Sequence, residues 1–137
     1  ESISLENEGY PVNIMRMEEW EVPDYYELVL VTSEKFLFQN EGVVERFTRA
    51  VSKGYSDAIL DPQAGVDILK KYAPEIDESI DRPGADLLQL LWQDENGRFG
   101  KQKESKWVDF AGWMQDKGLL DSSVNGTDAY TDKYSVK

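Results

Sequence analysis

The 137 residues are 40% hydrophobic and carry four Trp, seven Tyr and five Phe, which suits one folded domain and argues against a disordered segment. A net charge of −12 opposes binding to nucleic-acid phosphates and to anionic membrane surfaces, and no apolar run of about 18 residues is present to span a bilayer. With no Cys and no His, disulfides, Cys-ligated metal sites and Ser-His-Asp or Cys-His catalysis are excluded within the chain.

Glu1 to Gly9 is polar and ends in a Gly-Tyr-Pro step, so it reads as a loop or frayed end. It lacks the basic-then-apolar pattern of a signal segment, and any export signal is expected upstream of Glu1. Missing cysteine leaves the compartment open. PVNIMRM, with Val12, Ile14 and Met15, predicts a first short strand. YYELVLVTS predicts a second: Leu28, Val29, Leu30 and Val31 form a continuous apolar run of the kind buried on both faces of a parallel sheet. Pro23 makes the connection between them stiff and extended.

From Asn40 the period changes to three-and-four spacing through Val43, Val44, Phe47, Ala50, Val51, Ala58 and Ile59. That predicts a long helix capped by Asn40 and ended by Asp61-Pro62, with Gly54 marking close packing. A second helix follows from Pro62 to Tyr72, and Pro74 stops it. PEIDESIDRPGADLLQLLW predicts a third, bent or restarted at Pro83, before an Asn96-Gly97 turn. A fourth, from about Ser105 to Asp116, puts Trp107, Phe110, Ala111 and Met114 on one stripe, with Gly118 as its stop. The tail from Asp121 is polar and reads as irregular surface chain.

The fold class is therefore α/β, mostly helical, with about four helices and two strands. Two strands alone are marginal, so either another segment or a second copy of the chain is expected to complete the sheet.

The ordered series EGYPVNIMRMEEWEVPDYYELVLVTSEKF, VVERFTRAVSKGYSDAI, DPQAGVDILKKYAPEID, LLWQDENGRFGKQKESKWVDFAGWMQDKGLL and DAYTDKY resembles the NMT1/THI5-like branch of type II periplasmic binding proteins. The resemblance implies a partial two-lobed receptor fold represented by its C-terminal portion. Residues 1–23 would end the second lobe and approach the hinge, and 24–137 would make the return crossing and complete the first lobe. It further implies an extracytoplasmic solute-binding component of an ABC importer, lipid-anchored, that binds a thiamine pyrimidine precursor between its lobes and passes it to a permease without chemistry or cofactor. Relatives of the same branch that take sulfonates, nitrate or riboflavin-like solutes, and fungal pyrimidine synthases that consume their own His, are the alternatives it carries.

By the same resemblance the crossing segment lines the cleft. Glu27 can accept from an exocyclic amino group and a protonated ring nitrogen, while Tyr25 and Tyr26 offer faces for stacking. Against this stands packing of both tyrosines at a strand end, with Glu27 solvated. Trp20 is a further candidate for that wall, whereas Trp92, Trp107 and Trp113 fall on or beside helices as core side chains. The pairs Glu18-Glu19 and Asp94-Glu95 lack the alternating ligands of a calcium loop and read as solvated surface; no metal site is expected. Asn125-Gly126-Thr127 has the form of a glycosylation acceptor but reads as an ordinary turn.

Overall fold

The computed structural model describes residues 1–135. Among the described residues there are five α-helices, α1 Ser2–Asn7, α2 Glu34–Leu60, α3 Pro62–Tyr72, α4 Glu78–Leu88 and α5 Glu104–Asp116, with short 3-10 turns at Met17–Trp20 and Gly126–Asp128. The chain divides into two compact units. One is built mainly from Glu1–Ile14 and Glu45–Lys101, the other from Met15–Val44 and Gln102–Tyr134.

The expected α/β architecture is corrected: among the described residues there is no strand. PVNIMRM and the Leu28–Val31 run form no strand: residues 11–16 and 29–31 have no regular secondary structure, Met17 opens the 3-10 turn and Leu28 lies in a bend. Leu28 is 93% exposed and Val31 88%. An apolar alternation or run can prefer the extended state, but a strand exists only when a neighbouring backbone accepts its N–H groups and supplies theirs. Among the described residues no such neighbour is offered.

In the first unit α3 packs on α4, and both begin on side-chain caps. Asp61 accepts the Ala64 N–H at 3.0 Å, and Asp77 accepts that of Ser79 at 2.9 Å, relieving donors that a helix start leaves unpaired. Val66 on α3 and Ala85 on α4 are the buried hydrophobic side chains among the described residues. Arg82 joins the two helices: its guanidinium donates to Gln63 Oε1 at 3.2 Å, to Asp67 Oδ1 at 2.6 Å and to the Glu78 carboxylate. Lys70 also pairs with Glu78.

Two expectations about this unit change together. Glu1–Gly9 is not a loop but contains α1, which packs on α4. Pro83 does not break α4, which runs through it from Glu78 to Leu88. Proline has no N–H, so the carbonyl four residues back, that of Ser79, loses its helical donor. Asn7 Nδ2 on α1 donates to Ser79 O at 3.3 Å and fills that vacancy.

The long helix also starts earlier than expected. Ser33 Oγ accepts the Phe36 N–H at 3.2 Å in the manner of an N-cap, and α2 begins at Glu34. Asn40 is instead a kink inside it, with non-helical φ −137° and ψ 33° and its side-chain amide donating to Phe36 O at 3.2 Å. The same local competition with the backbone that makes Asn a good cap interrupts the ladder here. No residue of α2 is fully buried; Val44, Val51, Ala58 and Ile59 of its apolar stripe are half-buried, whereas Val43 and Phe47 are exposed.

Candidate functional site

The candidate residues Tyr25, Tyr26 and Glu27 belong to the second unit, on the irregular chain after Pro23. α5 supplies the rings behind them. Tyr25 stacks on Phe110 with ring centroids 4.4 Å apart and planes 9° from parallel, and Phe110 continues to Trp113 at 5.8 Å. Tyr26 meets Trp107 at 5.9 Å, and its hydroxyl accepts the Lys103 backbone N–H at 2.8 Å. That bond occupies an amide at the start of α5, where donors lack helical acceptors. The Lys106 ammonium lies 4.9 Å from the centre of the Tyr26 ring and 2.6 Å from Asp24 Oδ2, combining a cation–π contact with an ion pair.

Tyr25 and Tyr26 are thus half-buried rings with one side held by α5, and Glu27 is exposed. The structure brings the three onto one stretch backed by aromatic side chains. Trp20 ends the 3-10 turn, 64% exposed, before Glu21 in the left-handed region with φ 62°. Trp107 and Phe110, read from sequence as a helix stripe, prove to be what fixes the two tyrosines. Their pairing spans about 80 residues of chain, beyond the reach of local periodicity. Chemically the arrangement offers flat apolar ring surface next to carboxylate oxygens, the pairing a planar heterocycle with amino donors would use.

α5 is itself braced. The 3-10 turn at Gly126–Asp128 packs on it, and buried Gly126 is so close that a Cβ built there would overlap the Trp107 carbonyl and sit 2.9 Å from Val108 Cα. Asn125 spends its side-chain oxygen on the Thr127 N–H at 3.2 Å, consistent with a turn. Trp107 stacks on Tyr130 at 5.5 Å with planes 2° apart.

The first unit holds a groove of about 710 Å³ bounded by α2, α3 and α4, with Val51, Tyr55, Leu69, Leu88 and Trp92 in its walls. Gly54, taken as a mark of close packing, faces open space and lines this groove. Tyr55 stacks on Phe99 at 4.0 Å and meets Trp92 edge-on at 5.3 Å. Among the described residues no cluster of three or more His, Cys, Asp or Glu is placed to hold a metal ion, and no helix is long and apolar enough to cross a membrane.

Residues 1–65 match the family described as NMT1/THI5 like. Over that segment the chain is similar to that family. A formylaminopyrimidine-binding protein of Halalkalibacterium halodurans is 25% identical over 131 residues, 93% of this chain and 40% of that protein. Riboflavin-binding protein RibY of Chloroflexus aurantiacus is 25% identical over 143 residues, 98% of this chain and 39% of that protein. The chain therefore spans about two-fifths of the length of the curated relatives it matches, and both relatives are named as binding proteins.

Proposed function

We propose that this chain is the C-terminal portion of an extracytoplasmic solute-binding protein of an ABC importer, lipid-anchored in its complete form, and that the complete protein holds an aminopyrimidine against Tyr25, Tyr26 and Glu27. In this reading residues 1–23 close the second lobe, 24–137 return to the first, and the protein delivers its ligand to a permease without chemistry.

The observation that carries it is the backing of Tyr25 and Tyr26 by Phe110 and Trp107 beside an exposed carboxylate at Glu27. Rings held from behind lose little freedom when a flat ligand stacks on them, which favours binding. The name of the Halalkalibacterium relative supports the pyrimidine. The exposure of Leu28, Val31, Phe38 and Leu91, each more than three-quarters open, supports a longer protein whose remaining chain covers these side chains.

The test is calorimetric titration of the full-length protein with formylaminopyrimidine and, separately, riboflavin. The expected result is saturable binding of formylaminopyrimidine that weakens about 10- to 100-fold in Glu27→Gln, the loss of one charge-assisted hydrogen bond. Riboflavin binding alone, in line with the Chloroflexus relative, would replace the ligand and keep the receptor. Binding of neither would overturn both.

A further inference from the structure

One carboxylate oxygen in the second unit takes two donors from consecutive residues far along the chain. Glu41 Oε1 lies 2.6 Å from Lys133 Nζ and accepts from the Tyr134 hydroxyl at 2.9 Å. The Lys133 ammonium also lies 5.0 Å from the Tyr134 ring centre, so the two residues grip Glu41 together. The hydrogen bond from Lys133 first, then that from Tyr134, holds the Glu41 carboxyl below its ordinary range. Glu41 follows the kinked Asn40 directly.

The segment so anchored leads to the candidate wall. Asp132 Oδ1 accepts the Gln102 N–H at 3.0 Å, and Tyr130 lies flat on Trp107. The Trp107 indole N–H is fixed by Gln102 Oε1 at 2.8 Å, and its ring meets Tyr26. A lone exposed ion pair contributes about 0–1 kcal/mol. Here two neighbouring donors converge on one oxygen, and Asp132 adds a third tie, which restricts the segment as a body.

We propose that Glu41 is a positioning residue for the Tyr26 site: by anchoring Lys133 and Tyr134 it holds Tyr130 on Trp107, and Trp107 against Tyr26. The proposal rests on the reading of Tyr25, Tyr26 and Glu27 as the ligand wall. Glu41 touches none of these three; it acts through the anchored segment, and a second shell of this kind sets how well a site is preorganised.

The experiment follows two NMR signals in the full-length protein, the Trp107 indole N–H and the Lys103 amide that donates to Tyr26, with formylaminopyrimidine affinity measured in parallel. In Glu41→Ala both signals shift or broaden, while the indole of Trp92, in the other unit, stays in place; affinity falls about two- to fivefold. Glu41→Gln keeps an acceptor for Tyr134 but not the charge, and falls between the two. Rising salt moves the wild-type signals toward the Glu41→Ala positions and shifts that variant less, since only the Lys106–Asp24 pair beside Tyr26 is left there to screen. Unmoved signals in Glu41→Ala overturn the proposal, whatever the affinity does. Responding signals in a protein that does not bind formylaminopyrimidine overturn the ligand reading alone and leave the anchor established.

Discussion

The two units solve the same problem, holding helices in place with few buried apolar side chains, by different chemistry. In the first, α3 and α4 are joined by polar groups: aspartate caps at both starts, Arg82 bridging to Gln63 and Asp67, and Asn7 covering the carbonyl that Pro83 leaves vacant. In the second, α5 is held by rings, with Tyr25, Tyr26 and Tyr130 stacked or tilted on Phe110 and Trp107. Hydrogen bonds fix direction and tolerate water, whereas stacked rings fix a plane and exclude it. The ring-held unit accordingly presents flat ring surface along α5, while the polar-held unit, whose own ring stack of Tyr55, Phe99 and Trp92 lies apart from the α3–α4 joint, leaves an open apolar groove.

This contrast breaks most visibly at Trp107. Trp107→Ala removes the ring shared by Tyr26 and Tyr130 and is expected to cost about 2–3 kcal/mol, less than the roughly 3–5 kcal/mol of a fully buried Trp→Ala because Trp107 is half-buried; urea denaturation measures it. Gly126→Ala follows at about 1–3 kcal/mol, since the added methyl meets backbone that must move. Its loss of near-ultraviolet dichroism should come from the ring-held unit alone. In the polar-held unit single changes are smaller. Asp61→Ala removes the α3 cap for about 1 kcal/mol, and Arg82→Met, which keeps the aliphatic stem, is expected to cost a similar amount; a drop of more than about 3 kcal/mol would show that the α3–α4 joint depends on buried charge after all.

The smallest effect is a local one on acidification. Asp94 accepts the Arg98 and Asn96 N–H groups at 2.9 and 2.8 Å, and the backbone bond from Arg98 is the first cause of a carboxyl pKa lowered from 3.8 to about 2. Because the folded value lies below the ordinary one, the contribution of this turn is fully present above pH 3.8 and is lost as the pH falls through about 2. The Asn96 and Arg98 amide shifts, followed by NMR, should therefore hold steady through the range where exposed carboxylates titrate.

What the sequence made legible was whatever a few adjacent residues decide. α3 was readable at both ends from Asp61-Pro62 and Pro74, α5 from its apolar stripe, and the glycines at 97 and 118 do take positive φ, 74° and 70°. Strands were not, because Leu28–Val31 states a preference whose fulfilment depends on a backbone elsewhere. α1 was missed because six polar-rich residues carry no periodicity, and its helix is supported by a contact with Ser79, 72 residues away. At Asn40 the right local chemistry was read into the wrong context, a kink in place of a start. In the candidate site Tyr25, Tyr26 and Glu27 could be named from the crossing segment, but the rings that back the two tyrosines required the fold.

The unpaired Leu28–Val31 run also sets colloidal behaviour. A short, uncharged, β-branched and aliphatic segment standing open is a template for pairing between molecules. The net charge of −12 keeps molecules of this chain apart at neutral pH and low salt. Acid or salt that removes or screens that charge takes away the repulsion while leaving the segment exposed. Turbidity of the isolated chain should therefore rise as the pH is brought toward 4 to 5 or as salt is added, and Val29→Lys should suppress it.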